Sequence, residues 1–378
     1  MLQAILILIL LFTQAYLKKR IHMTEIIAEI GVNHNGSLEM AKRLIDKAVE
    51  CKVDTVKFQI GDPANFISPI ASKAHYQKQN TGIEETQLDM VKKLVLKPES
   101  YRELNSYCKH KGVSFLATPF DKDSVNFLSK DLSLNTLKIA SGEITNYELL
   151  YECAQTNKNL IISTGMSTLS EIRSALNFLM FCYLFPDDLP STKNISKSNI
   201  SNDYSKVLGN KVTLLHCTTE YPAPFESINL NAMTTLQETF GLSVGFSDHS
   251  LGIEAALAAI PIGAKIIEKH FTLDKNLPGP DHTASLTPDE LEKLVIEIRK
   301  FEKILGSTEK KPHSIELENI EIVRRSIFAN GNIKKGDFLT NENIICKRPS
   351  TGICSSKYWD LIGTKAVRNF VDNEQITY

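Results

Sequence analysis

Eight short β-branched runs recur along this chain, and stretches with helical periodicity separate them. The runs are EIIAEI (25–30), DTVKFQ (54–59), VSFLAT (113–118), TLKIA (136–140), NLIIST (159–164), VTLLHC (212–217), LSVGFS (242–247) and AKIIEKHF (264–271). Between them, segments such as 38–49, 100–111, 169–179, 253–262 and 288–305 place apolar residues on one helical face. A parallel strand needs a crossover connection, so this alternation implies βαβ units. Eight such strands within about 280 residues fit an α/β fold of the (β/α)8 TIM-barrel type in count and size. A doubly wound open sheet competes, but the Gly-rich nucleotide turn it often carries is absent.

Composition narrows the function classes. The 378 residues carry 43 Lys plus Arg against 44 Asp plus Glu, a formal net charge of −1. That balance leaves no electrostatic footprint for nucleic acid. The seven cysteines are scattered without a CxxC pair, the pattern of reduced thiols in a cytoplasmic protein.

Residues 2–12, LQAILILILLF, are almost wholly apolar, and Lys18, Lys19 and Arg20 follow them. A secretory signal carries its charge before the apolar run, so the order here is reversed. The run is also short for a spanning helix. Residues 1–22 read as an extension ahead of a working protein that begins near Met23. The alternative is a reverse-oriented anchor that holds a cytosolic enzyme at the membrane. Asn35, Asn194 and Asn199 each open an Asn-x-Ser sequon. They are discounted as glycan sites, because Asn35 falls in an expected active-site loop.

In a barrel of parallel strands the C-terminal strand ends form one mouth. Glu29, Lys57, Gln59, Thr118, Lys138, Ser141, Glu143, Ser163, Thr164, His216, His249, Glu268 and His270 all fall at or just beyond such ends. His249 and His270 lie at consecutive strand ends, where two imidazoles can reach one Mn, Fe, Co or Zn ion. Either histidine alone would more often be a hydrogen-bonded core residue. Lys57 and Lys138 sit in apolar runs, and a buried Lys needs an anion. That anion is either Glu29, Glu143 or Glu268, or a bound phosphate or carboxylate; a Schiff-base lysine is a third reading. Glu29 and Glu143 suit acid–base or hydroxyl-binding roles. The turns at 117–121, 140–146 and 163–168 each precede a helix, a favourable place for phosphate. The Gly/Pro run 274–282 carries Asp281 and His282 and follows the last strand directly.

Residues 184–210 are rich in Pro, Asp, Ser and Asn and read as one long solvated loop. Domain boundaries follow at 23–306 for the barrel, 307–320 for a linker and 321–378 for a small second module. In that module, 330–340 reads as strand–turn–strand and 347–353 as a loop. So short a module folds alone only marginally, so it is expected to dock on something.

The chain resembles the sialic acid synthase family from about residue 25 to its end. AEIGVNHNGS (28–37), VKFQ (56–59), STGMST (163–168), LLHCTTEYPAPFE (214–226), GFSDHSLG (245–252) and IIEKHFTLDKNLPGPDH (266–282) carry the resemblance. KKGD (334–337) and KRP (347–349) resemble the antifreeze-like SAF module of those enzymes. The resemblance implies a TIM barrel followed by a β-clip SAF domain, in a domain-swapped homodimer. It implies a metal-dependent condensation of phosphoenolpyruvate with an N-acyl amino sugar, with C–O cleavage and release of phosphate. Carried over, His249 and His270 match the holders of a divalent metal, Mn²⁺ or Mg²⁺. Lys57, Thr118, Lys138, Ser141, Ser163 and Ser247 match the phosphoenolpyruvate positions. Glu29, Gln59, Tyr221 and Asp281 match positions around the sugar, with Glu268 beside the metal. Arg348 matches the residue of the neighbouring SAF module that contacts the N-acyl group. Glu29 or Glu268 is the expected carboxylate for the attacking water's proton. Thr219 departs from relatives with Asn there, which weakens one expected phosphate contact. N-acetylmannosamine, giving N-acetylneuraminate, is the expected sugar. The alternative is a 2,4-diacetamido sugar giving legionaminic acid or, less favoured, pseudaminic acid. A non-catalytic sugar-binding role is disfavoured by the histidine pair and both lysines.

Overall fold

The structure, a computed structural model, describes residues 24–198 and 203–378. The apolar extension and the Asn199 sequon lie outside the described residues. Two compact units divide at Gly306 and Ser307.

In the first unit every expected strand forms: β1 (Glu25–Glu29), β2 (Thr55–Ile60), β3 (Ser114–Pro119), β4 (Thr136–Ile139), β5 (Asn159–Ser163), β6 (Val212–Cys217), β7 (Ser243–Asp248) and β8 (Ile266–His270). Their order is β3-β2-β1-β8-β7-β6-β5-β4, all parallel, and the β1–β8 ladder joins the first barrel strand to the last. β3 and β4 face each other without a ladder of their own, so this is a nearly closed TIM-type barrel. Helices form where the periodicity and caps agree. Ser37 accepts from Met40 N at 3.2 Å to start the helix Leu38–Glu50. Thr168 and Glu171 make a reciprocal capping box at the helix Leu169–Leu184, and Thr287 with Glu290 does the same ahead of Pro288–Leu305. Outward strand residues such as Ile26, Ala28, Val56, Phe58, Leu137, Val244 and Ile267 pack into the helix layer.

Residues 184–210 are not one solvated loop. The helix Leu169–Leu184 runs five residues beyond its expected end, and Thr192–Lys197 and Tyr204–Leu208 are helical. Ser191 and Asp203 cap the two short helices. Tyr204 and Leu208 are buried, and Tyr204 donates to Asn177 Oδ1 at 2.8 Å. Polar composition masked both short helices; burial orders Tyr204–Leu208, whereas Thr192–Lys197 buries no residue and rests on its Ser191 cap.

The second unit has its own core, built from Ile327, Ala329, Ile333, Leu339, Ile344, Leu361, Ala366, Phe370 and Ile376. β9 (Ser326–Ala329) and β10 (Ile344–Lys347) pair antiparallel. The expected strand–turn–strand at 330–340 does not pair with itself. Ile333 bridges to Phe370 and Phe338 to Lys365, so both halves pair with the chain's last segment. The expected linker ends in helix, Leu317–Val323. All seven cysteines are free and five are buried. Among the described residues no helix is long and apolar enough to cross a membrane.

Candidate active site

The inward face of the barrel is apolar at one level and polar at the next. Ile27, Leu116, Ile161, Leu215 and Ile266 pack together inside the ring. Strand side chains alternate with period two, so the residue two places on shares the inward face. Those residues are Glu29, Thr118, Ser163, Cys217 and Glu268, and all are buried. The apolar layer closes the barrel beneath them, and a cavity of about 420 Å³ opens above.

Both lysines enter this polar level. Lys57 Nζ lies 2.6 Å from Glu29 Oε2, 3.4 Å from Thr118 Oγ1 and 3.8 Å from Glu268 Oε1. Lys138 Nζ donates to Ser163 Oγ at 2.6 Å and stands 3.7 Å from Glu268 Oε1. Ser247 Oγ donates to Glu268 Oε1 at 3.0 Å, and Gln59 Nε2 to Glu29 Oε1 at 2.9 Å. Of the three expected carboxylate partners, Glu29 and Glu268 serve. Glu143 accepts from Asn146 Nδ2 at 2.7 Å instead.

These neighbours separate the charges. Burial pushes the Glu29 carboxyl up to about 7, although Lys57 opposes the shift. Burial, with the Glu29 charge, brings Asp281 up to about 7 as well. Burial also disfavours charge on Glu268, yet Lys138 and Lys57 outweigh it and hold that carboxyl low. Lys57 is buried too, but Glu268 and Glu29 hold its ammonium above the usual lysine range. Burial wins at Lys138, whose affinity for its proton falls despite Glu268. Lys138 is therefore the cation of the site that most lacks a compensating anion.

His249 and His270 come together at the adjacent ends of β7 and β8, with ring centroids 5.5 Å apart. The Thr218 carbonyl, 2.6 Å away, holds the proton on His249 Nδ1 and leaves Nε2 as the lone-pair nitrogen. Burial pushes His249 down to about 4 and His270 well below the usual range, so both rings are neutral at pH 7. A metal requires that state. Among the described residues, His270 Nδ1, Glu268 Oε2 and Asp281 Oδ1 are buried without hydrogen-bond partners, and Asp281 Oδ2 lies 3.7 Å from His270 Nδ1. Two neutral imidazoles beside partnerless carboxylate oxygens fit a divalent cation that takes its other ligands from water or substrate. Among the described residues no three His, Cys, Asp or Glu side chains form a complete ligand set.

The cavity wall gathers Lys57, Gln59, Thr118, Lys138, Ser141, Glu143, Ser163, Tyr221, Ser247, His249, Glu268, His270 and Asp281. Glu29 stands one layer behind that wall, in contact with Lys57 and Gln59. Thr219 lines the cavity with a buried hydroxyl that has no partner, so the departure from Asn leaves a donor in place. Arg348 is exposed just after β10, in the second unit. His216 does not reach the cavity. Its neighbour Leu215 faces inward, so the His216 ring faces the helix layer and bonds the Ile228 carbonyl at 2.6 Å. Sequence reasoning missed Tyr76. It sits on the short helix His75–Thr81, in the cavity wall, with its ring 4.8 Å from Tyr221. Tyr221 in turn stacks on His249 at 4.1 Å. The segment HYQKQNTG (75–82) bears on the choice of sugar branch, but no local pattern places the Tyr76 ring in the wall, because its partner is 145 residues away. The apolar side of the wall was missed too: Phe66 and Phe120 stack at 4.9 Å, beside a glycine, Gly61, whose missing Cβ leaves room for the Phe66 ring.

The sequence profile of the NeuB family matches residues 44–310, and that of the SAF domain matches residues 324–378. The chain belongs to the NeuB family. This NeuB-family chain is 46% identical over 353 residues to N,N'-diacetyllegionaminic acid synthase of Campylobacter jejuni, covering 93% of this chain and 98% of that protein. It is 30% identical to human N-acetylneuraminate-9-phosphate synthase over 94% of this chain and 92% of that protein. Among solved structures, N-acetylneuraminic acid synthetase of Leptospira borgpetersenii superposes with a TM-score of 0.62 at 34% identity, covering 79% of this chain and 90% of that one.

Proposed function

We propose that the chain condenses phosphoenolpyruvate with a 2,4-diacetamido sugar and water, giving N,N'-diacetyllegionaminate and phosphate. The observation that carries the choice of sugar is the near full-length similarity to the Campylobacter jejuni enzyme of that name, at 46% identity. A second legionaminic acid synthase, from Legionella pneumophila, is 42% identical, whereas a Campylobacter jejuni pseudaminic acid synthase is 30% identical. From the sequence N-acetylmannosamine is the expected sugar, although no motif decides between the neuraminate and legionaminate branches; the relatives favour the diacetamido sugar instead.

The site's chemistry supports this class of reaction. Lys138 with Ser163, and Lys57 with Thr118, would bind the phosphate and carboxylate of phosphoenolpyruvate as charge-assisted donors. The closed apolar layer beneath them keeps bulk water from that end. His249 and His270 would hold a divalent ion, which when bound supplies Lewis-acid polarisation to the sugar's aldehyde oxygen. C3 of phosphoenolpyruvate forms the new bond to the aldehyde carbon. Water then adds at C2, and the C–O bond to phosphate breaks. Glu268, held charged by two lysines, offsets positive charge beside the histidines. Glu29 and Glu268 were the expected carboxylates for the water's proton. Glu268 is held low by the lysines, while Glu29 and Asp281 are both raised to about 7. Of these two, Asp281 is the one that lines the cavity and would exchange the proton.

Two measurements test this reading. Phosphate release with phosphoenolpyruvate is expected to be faster with the diacetamido sugar than with N-acetylmannosamine. Equal or better use of N-acetylmannosamine would return the sugar assignment to the neuraminate branch. The Asp281 base must be deprotonated to act, so kcat/KM is expected to fall on the acid side. Burial raises this carboxyl, and a divalent ion held beside His270 would bring it back down, so the limb is expected below pH 7. Asp281→Asn should remove that limb and lower kcat by about 10²–10⁴-fold, the range for a lost general base. A variant that keeps the limb would move the base elsewhere.

A further inference from the structure

Each histidine of the pair is preceded by a fully buried charged residue that the reaction does not use. These are Asp248, before His249, and Lys269, before His270. They sit directly opposite each other across the β7–β8 ladder and face the helix layer, away from the cavity. The outward positions around them are apolar, as at Ala28, Phe246 and Ile267. The Lys269 ammonium donates to Asp248 Oδ2 at 2.7 Å and to the Ser250 carbonyl at 2.6 Å. Asp248 Oδ1 accepts from Ser250 N at 2.8 Å and from Ser250 Oγ at 2.6 Å. Four hydrogen bonds therefore bracket His249 on both sides and tie it to the residue next to His270.

A buried ion pair is a weak source of net stability, because desolvating two charges offsets most of their attraction. Apolar side chains of similar size would suit this layer as well. What the pair supplies that apolar groups cannot is directionality. It fixes the turn 248–250 in one arrangement and in one register with β8. The Thr218 carbonyl orients the His249 ring but does nothing for its spacing from His270. We propose that Asp248 and Lys269, with Ser250, are positioning residues that set the His249–His270 geometry for a divalent ion. This rests on the metal-holding role given above to the two histidines.

The test is a Mn²⁺ titration of the metal-stripped protein by calorimetry, with folding checked by circular dichroism and thermal unfolding. Asp248→Asn combined with Lys269→Met removes both charges together and leaves neither one buried alone. The double variant is expected to fold and to bind Mn²⁺ about 10–100-fold more weakly, as when a partner that orients a metal ligand is lost. At saturating Mn²⁺ its kcat should recover more completely than at limiting Mn²⁺. Ser250→Ala deletes one hydroxyl bond to Asp248, and it is expected to weaken Mn²⁺ binding about 3–10-fold. It decides the matter if the double variant does not fold. Wild-type Mn²⁺ affinity in either folded variant would overturn the proposal. His270→Ala separates this from the metal reading. If it binds Mn²⁺ as wild type does, the metal site itself is wrong. If it loses Mn²⁺ while the folded pair variants keep it, only the positioning role fails.

Discussion

Lys138→Met is expected to lower kcat/KM for phosphoenolpyruvate by about 10²–10³-fold, the range seen when a preorganised donor to a reacting oxyanion is lost. Lys138 is buried and, among the described residues, donates to Ser163 Oγ at 2.6 Å and to the Ile139 carbonyl. Burial works against its charge, and Glu268 at 3.7 Å offsets this only in part. An arriving trianion would supply the missing compensation, so the interaction is worth most when substrate is bound. Met keeps the length of the side chain and its apolar contacts, so the barrel should still fold. Glu268 should respond as well. Lys138 is the largest influence holding its carboxyl low against burial, and without it the carboxyl should rise toward neutrality. Steady-state phosphate release and thermal unfolding check both points. An unchanged KM and kcat in a folded variant would remove Lys138 from the anion site.

Stripping the protein with a chelator is expected to reduce turnover to background, and Mn²⁺ to restore it. The two imidazoles are already neutral, so binding need not displace a proton from either ring near pH 7. The sign of the pH dependence follows. A depressed histidine pKa keeps the ring available for metal below the usual 6.5 and loses it only as pH falls through about 4. In Asp281→Asn, which removes the neighbouring carboxyl that titrates near 7, directly measured Mn²⁺ affinity should therefore hold from pH 7 to about 5, where exposed histidines would have begun to release the ion. Loss of Mn²⁺ between pH 7 and 6 would show that the rings are not buried as described. Full activity in excess chelator would end the metal reading.

The eight strands, their order along the chain and their polar ends were legible because they depend on local periodicity. Alternation with period two places Glu29, Thr118, Ser163 and Glu268 on one face once Ile27, Leu116, Ile161 and Ile266 are recognised as inward. The same count would have turned His216 outward, since Leu215 next to it is inward. Residues 184–210 were misread for a different reason. Their order depends on Tyr204 finding Asn177 and on burial of Leu208, contacts that composition does not encode.

What the sequence determined by itself was therefore the barrel, the mouth and the residue types gathered there. Which carboxyl keeps a proton was decided by the tertiary structure. As isolated side chains Glu29, Glu268 and Asp281 titrate within about one pH unit of each other, and burial against two lysines drives them apart. The neutral state of the histidines, the place of Tyr76 against Tyr221 and the bracket of Asp248 and Lys269 around His249 were decided in the same way. Each depends on desolvation and on partners far away in sequence, and the strength of both is set by three-dimensional distance rather than by local pattern.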